Sequence, residues 1–280
     1  MRVGLVGASG FIGRHLQAAL IARGDDVVPA SLRNPAAAAS VLRNCDAVIN
    51  LAGEPIAQRW TPAAKERLRS SRVGATRALL DNLASDERRP SAYISASAIG
   101  YYAPSETQTY TEASPPGHDF LAELCVAWEH EAQRASALGM RLAIIRTGVV
   151  LGAGGGALAK MLPPFRLGLG GVVGSGKQWI SWIHIDDVVG IYGMALDGAE
   201  GTFNATAPHP VTNAEFTQAL GSTLHRPAVF AVPPFALRMM LGEGAGIVLT
   251  GARVLPQNTL ESGYVFRFMM VEDALRSILQ

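Results

Sequence analysis

Three glycines spaced three apart, Gly7, Gly10 and Gly13, stand between an apolar run at residues 2–6 and a segment of helical periodicity. A strand, a tight glycine turn and a helix start together make a cradle for phosphate. Glycine permits a turn at positive φ. Its missing side chain lets the backbone approach a pyrophosphate, and the first helical N–H groups and the helix dipole face the anion. Ile12, Leu16, Ala19 and Leu20 then fall at helical spacing, and Gly24 stands where a helix stops. The pattern predicts a dinucleotide site built from Gly7, Ser9, Gly10, Phe11, Ile12 and Gly13. A glycine-rich turn with no ligand is the competing reading, because the commoner fingerprint is Gly-x-Gly-x-x-Gly.

The end of the second strand in such a site meets the adenosine ribose. An acidic residue there selects a free 2′-hydroxyl, and an arginine accommodates a 2′-phosphate. The run Val27-Val-Pro-Ala-Ser31-Leu-Arg33-Asn34 holds no carboxylate. Ser31 and Arg33 are the groups on offer, and a guanidinium fork suits a phosphate dianion. The expected cofactor is therefore NADP(H), with an ordinary solvated loop arginine as the alternative reading of Arg33. The third strand runs out through Asn50-Leu51-Ala52-Gly53-Glu54-Pro55, small enough at Ala52 and Gly53 for adenine and pyrophosphate to lie across it. A plain strand–helix turn is the alternative. Ser95 and Ala96, near the end of the fourth strand, complete the expected cofactor-facing set.

These residues need a scaffold, and the chain supplies one. Strands are predicted at 2–6, 26–30, 46–51, 91–97 and 141–147, with helices near 11–23, 62–84 and 118–138. Continuous apolar strands alternating with amphipathic helices predict an α/β fold, a doubly wound parallel sheet with both faces covered. Residues 148–176 carry ten glycines around Met161-Leu-Pro-Pro-Phe165, a candidate substrate wall. Residues 179–184 read as a strand, Asp186 as the cap of the next helix, and Thr212-x-x-Glu215 as a capping box. The division expected is 1–230 as the cofactor domain, with 148–180 as a substrate-side insert, and 231–280 as a small, mainly helical C-terminal lobe.

Composition excludes several classes. Of 280 residues 49% are apolar and 17% charged, enough for a large core. A net charge of +1 gives no field to draw nucleic acid or an anionic membrane. No apolar run approaches the ~20 residues of a membrane span. Two cysteines, Cys45 and Cys125, make no disulfide framework, so a cytoplasmic protein is expected. The six histidines lack zinc-ligand spacing, and no metal is expected. Gly171-Val-Val-Gly-Ser-Gly-Lys177-Gln178 falls short of a P-loop, since Gln178 replaces the Mg²⁺-binding hydroxyl and no helix follows. Lys65, Arg67, Arg69, Arg72 and Arg77 read as a solvated basic face, with Arg72 placed to approach cofactor or substrate.

With those pieces placed, the chain resembles the extended, sugar-nucleotide-epimerase-like branch of the short-chain dehydrogenase/reductases, and within it the atypical epimerase family proteins. The resemblance rests on Gly7-Ala-Ser-Gly-Phe-Ile-Gly13, Asn50-Leu-Ala-Gly-Glu-Pro-Ile56, Ser95-Ala-Ser-Ala-Ile-Gly-Tyr-Tyr102 and Ser114-Pro-Pro-Gly117. Further on it rests on Arg146-Thr-Gly-Val-Val-Leu-Gly152, the Met161–Gly170 stretch, Trp182-Ile-His-Ile-Asp-Asp187 and Phe203-Asn-Ala-Thr-Ala207. It implies an NADP-binding Rossmann core, a small-molecule substrate and a C-terminal module from about Pro233.

It also implies a Ser–Tyr–Lys catalytic set. Ser97 matches the serine, and Tyr101 matches a tyrosine often found four residues on. The Tyr-x-x-x-Lys does not match: aligned on Glu129 its slots hold Leu121 and Cys125, and one residue earlier Phe120 and Leu124. A positioned general acid contributes ~10²–10⁴ in rate, so the gap bears on mechanism. Tyr101, Tyr102, Glu54 and Lys160 are candidate replacements, and Ser97 with Tyr101 is the expected pair; an aromatic pocket wall is the alternative for the tyrosines. Two functions stay open: an epimerase-like oxidoreductase on a small carbonyl or sugar-nucleotide compound, and a non-catalytic NADP(H) sensor or interaction protein.

Overall fold

The aliphatic runs become neighbouring parallel strands in the computed structural model, which describes residues 1–280. β1 (Arg2–Val6), β2 (Asp26–Ala30), β3 (Ala47–Asn50), β4 (Ala92–Ala98), Arg141–Thr147 and Gly201–Ala205 form a six-stranded sheet. Its order is Gly201–Ala205, Arg141–Thr147, β4, β3, β1, β2, parallel throughout. Alternate side chains enter two separate cores, as the two-residue strand period requires. On one face Val3, Leu5, Ile49, Ile94 and Ile145 pack with Leu16 and Leu20 of α1 (Phe11–Ala22) and with Val188, Ile191 and Tyr192. On the other Val6, Val48, Tyr93 and Ile144 pack under α2 (Pro35–Leu42), where Asn34 caps the helix by accepting from the Ala37 N–H. Helices therefore cover both faces, and the fold is the doubly wound α/β sheet expected.

The long helix expected over 62–84 is present with an irregularity. α3 (Pro62–Arg69) passes into a π turn at Ser70–Gly74 before α4 (Ala75–Ala84). α5 (Phe120–Ala137) lies beside α4 and brings Ala132 and Ala135 into the same core. α6 (Gly156–Arg166) starts in the glycine-rich insert, and α7 (Ile185–Leu196) returns to the sheet.

Three expectations need correction. Residues 179–184 are not one strand: Trp179–Ile180 and Trp182–His184 pair with different partners, Val211–Thr212 and Val149–Leu151. Ser181 between them is buried and bonds the Ala252 carbonyl, which turns the chain from one partner to the other. Asp186 is not the cap of α7. His184 is, with Nδ1 accepting from the Asp186 N–H at 3.1 Å, while Asp186 and Asp187 occupy the first turn. The sixth strand, Gly201–Ala205, was not predicted, because its glycine, threonine and asparagine carry no apolar alternation.

α8 (Asn213–Thr223) begins with the Thr212–Glu215 capping box. Beyond it the chain is mainly helical, in Pro234–Leu241, Gly246–Leu249, Gln257–Glu261 and Val271–Leu279, yet strands sew it to earlier segments. Phe230–Val232 pairs with Gly171–Val173, and Arg253–Val254 with Thr109–Tyr110. Val271, Ala274 and Leu275 enter one core with Trp182, Phe216 and Leu220. Full burial of a Val or Leu side chain contributes about 1.5–3 kcal/mol, so this helix is anchored by its own core residues. Asp187, fully buried, accepts from the Arg267 and Phe268 N–H groups and from the Tyr264 hydroxyl. No helix is long and apolar enough to cross a membrane.

Candidate coenzyme and catalytic site

The glycine turn closes at the C-terminal end of β1. Gly7 sits at φ +84°, and a side chain on Gly13 would come within 2.2 Å of the Gly7 carbonyl oxygen, so only glycine lets α1 start this close to the strand. The N–H groups of Phe11, Ile12 and Gly13 have no acceptor in the chain, and no side chain caps the helix. The Arg14 Nη1 donates to the Ser9 carbonyl at 2.8 Å and steadies the turn. The ring of Phe11 points away from the cradle. It lies so close to Gly152, Gly155 and Gly156 that a Cβ on any of them would fall within 2.9 Å of it. That socket accounts for part of the insert's glycine content.

At the end of β2, Ser31 and Arg33 are exposed; the Ser31 hydroxyl accepts from the Arg33 N–H, and the Arg33 guanidinium pairs with no carboxylate. At the end of β3 the Leu51 N–H donates to the Val6 carbonyl, and the Ala52 N–H to Asn50 Oδ1. Asn50 is buried and anchored to Thr76 and Tyr93. A side chain on Gly53 would meet the Arg72 guanidinium at 2.9 Å. Glu54 donates its N–H to Ser71 and gives its carbonyl to Arg72 Nη2, while its carboxylate turns to Gln58 and Arg67. Thus Gly7–Gly13, Ser31, Arg33 and Leu51–Glu54 gather along one edge of the sheet, at the C-terminal ends of β1, β2 and β3. Ser95 is different: it is buried and donates to the Ala96 carbonyl.

At the end of β4 the polar groups close on one another. Ser97 is buried and donates to Glu129 Oε1 at 2.6 Å. Glu129, on α5, holds Arg146 through two 2.8 Å bonds, Nε to Oε1 and Nη2 to Oε2. The Arg146 Nη1 donates to the Tyr102 hydroxyl, which donates to Asn204. Burial opposes the Arg146 charge, but the Glu129 carboxylate outweighs it and holds Arg146 above its ordinary range. Burial pushes Tyr102 up to about 12, so it is a fixed link in the chain of bonds. Tyr101 lies with its ring centroid 3.4 Å from the Arg146 guanidinium carbon, and its hydroxyl has no partner in the chain. The hydrogen that a serine would offer a substrate carbonyl is thus given to Glu129, and the free hydroxyl is that of Tyr101.

The slots of the absent Tyr-x-x-x-Lys are filled by packing. Leu121 lies against Gly100, and Cys125 is buried, its thiol pushed up to about 12 by burial. Lys160 is exposed and reaches from α6 to the Ala57 carbonyl. Arg72, in the π turn, is the member of the basic run expected to approach cofactor or substrate, and it turns inward over Trp128, its guanidinium carbon 5.4 Å from the ring centroid. His184 stacks on Phe268 with its Nε2 at Ser277, and burial lowers its pKa.

A doubly wound parallel sheet with a glycine cradle at its switch point defines a nucleotide-coenzyme-binding protein of the Rossmann type. The family profile described as "NAD dependent epimerase/dehydratase family" matches residues 3–205, and "Domain of unknown function (DUF1731)" matches residues 232–278. The chain belongs to the NAD dependent epimerase/dehydratase family. It is 44% identical to the epimerase family protein SDR39U1 homolog, chloroplastic, of Arabidopsis thaliana, over all of this chain and 87% of that one. It is 35% identical to the epimerase family protein YfhF of Bacillus subtilis, over all of this chain and 98% of that one. The crystal structure of human epimerase family protein SDR39U1 with NADPH superposes with a TM-score of 0.91 at 38% identity, covering 99% of each chain.

Proposed function

We propose that this chain binds NADP(H) and acts as an epimerase-like oxidoreductase on a small carbonyl or sugar-nucleotide compound in a reducing, cytoplasmic setting. One observation carries the coenzyme half of this reading: the Phe11, Ile12 and Gly13 N–H groups are aligned and unpartnered behind a Gly13 that admits no side chain. That is a donor set for a pyrophosphate. Arg33, free of any carboxylate, fits the added 2′-phosphate, and the NADPH held by the human relative agrees with it.

The bound coenzyme supplies or accepts hydride. Tyr101, the one tyrosine of the pair with an uncommitted hydroxyl, exchanges the proton with the substrate oxygen. Its ring against Arg146 keeps a cation beside any charge that develops there. Ser97 has given its hydrogen to Glu129 and retains lone pairs, so it accepts a hydrogen bond from a substrate hydroxyl.

A second reading has its own support. Leu121 and Cys125 leave no titratable pair, and Ser97 is engaged within the protein, as in a coenzyme sensor that performs no turnover. Single-turnover absorbance with NADPH and a panel of carbonyls, quinones and nucleotide sugars separates the two. The enzyme reading expects oxidation with at least one compound, slowed ~10²–10⁴-fold in Tyr101→Phe. Tight NADPH binding with no oxidation by any of them establishes the sensor instead.

A further inference from the structure

Arg72 is a cation without a counter-ion. No carboxylate lies within ion-pair distance of it, although it is only partly exposed. Its Nη1 donates to the Leu68 carbonyl at 3.4 Å and its Nη2 to the Glu54 carbonyl at 2.9 Å. A guanidinium carries five N–H donors. Nε and one hydrogen on each terminal nitrogen are thus left without a protein acceptor. Burial lowers the Arg72 pKa, a cost that a purely structural arginine on a helix surface would avoid by turning to solvent. Two local features are built around the position. The π turn Ser70–Gly74 is centred on it, a distortion that recurs at functional sites. Gly53 leaves room for the guanidinium at the end of β3, where a Cβ would stand 2.9 Å from it.

The sheet order says which part of a coenzyme it meets. With the pyrophosphate on the β1–α1 turn and the adenosine toward β2, the nicotinamide end must extend the other way, over β3 and β4. Arg72 spans from the end of β3 toward that side: beyond the Glu54 carbonyl its guanidinium faces Trp128 of α5 and neighbours Cys125, in the slot where the family's lysine holds the nicotinamide ribose.

We propose that Arg72 makes the site selective for reduced over oxidised coenzyme. The inference rests on the coenzyme reading above and adds a preference to it. The oxidised nicotinamide ring carries a positive charge that hydride addition removes, whereas the phosphates carry the same charge in both forms. A fixed cation at the nicotinamide end therefore disfavours NADP⁺ alone, while its attraction to the phosphates cancels from the ratio. A unit charge a few ångströms away in a partly wet cleft shifts such an equilibrium on the order of tenfold. A tenfold tighter grip on the reduced form raises the midpoint potential of the bound couple by about 30 mV. The held NADPH is then a weaker hydride donor than free NADPH.

Calorimetric titration of the full chain with NADPH, NADP⁺ and 2′,5′-ADP tests this. The wild type is expected to bind NADPH about tenfold more tightly than NADP⁺. Arg72→Met brings that ratio close to one and leaves 2′,5′-ADP, which has no nicotinamide end, unchanged. Arg72→Lys retains most of the preference. Gly53→Ala, which displaces the guanidinium without removing it, lowers the ratio and guards against a misfolded Arg72→Met. An unchanged ratio in both Arg72→Met and Gly53→Ala, or no preference in the wild type, overturns the selectivity while the coenzyme reading stands. A wild type that binds neither form overturns the coenzyme reading and this inference together.

Discussion

At the β1–α1 turn the N–H groups of Phe11, Ile12 and Gly13 face outward with no acceptor in the chain, and Arg33 stands exposed beside them. Two strands away in the sheet, about 10 Å at roughly 4.8 Å per strand, Ser97, Glu129, Arg146 and Tyr102 bond one another in a buried chain. Buried polar groups cost stability unless they are paired. The second region meets that cost internally, while the donors of the first, on a partly exposed turn, stay open to solvent or a ligand. The coenzyme end is thus built to be completed from outside, whereas the β4 end holds the sheet and α5 together whether or not anything binds. Tyr101 and Arg72 stand between the two: each has polar hydrogens left over, and each touches the sealed network or its neighbours through a ring.

The largest effect is expected from cutting the sealed network at its cation. Arg146→Met leaves Glu129 buried with only Ser97 as a donor. Removal of one partner from a buried pair costs about 3–5 kcal/mol. Urea unfolding should show that loss, while the NADPH dissociation constant of the folded fraction stays within about twofold. A fall in NADPH affinity as steep as the fall in stability would mean the two regions are one site.

A smaller effect is expected at the open end. Arg33→Ala removes a guanidinium that makes no ion pair within the chain. NADPH affinity should fall about tenfold, the range of a charge-assisted bond, with NADH affinity and the urea midpoint unchanged. Equal losses for the two coenzymes would remove Arg33 from the 2′-phosphate.

How far the sequence foretold this arrangement follows from what each signal reports. The strands at 2–6 and 141–147 were legible because both faces are buried and the runs are mostly aliphatic, and the edge strand at 26–30 through its Val27-Val28 pair, which is only half-buried. The cradle was legible because Gly7 and Gly13 are demanded by backbone geometry alone. Gly201–Ala205 was not, since only Phe203 and Ala205 enter the core and the residue between them, Asn204, is a buried polar group bonded to Tyr102 and Leu255. The Ser97–Glu129 bond and the contacts of Arg72, though not its candidacy, were also hidden. Both depend on which way a side chain turns, and spacing along a helix cannot say whether an arginine faces water or Gly53. His184 as the cap of α7 escaped for a related reason: a neutral imidazole nitrogen accepting an N–H has no composition signature beside two aspartates.

The mildest prediction is the one that decides where Ser97 belongs. Ser97→Ala removes a single hydroxyl from Glu129, whose Oε1 still accepts from the Arg146 Nε at 2.8 Å. With the carboxylate still paired, the loss should be about 1 kcal/mol, the net worth of one hydrogen bond. NADPH affinity should not change, because nothing in the cradle touches Ser97. Where turnover is found, Ser97→Ala should slow it less than Tyr101→Phe does, since Ser97 orients a substrate hydroxyl and Tyr101 moves the proton. Combined with Arg146→Met, the Ser97→Ala loss should change by more than about 0.5 kcal/mol, the mark of residues in one network. Strict additivity in urea unfolding, with a turnover loss equal to that of Tyr101→Phe, would take Ser97 out of the sealed region and place it in the cleft beside the tyrosine.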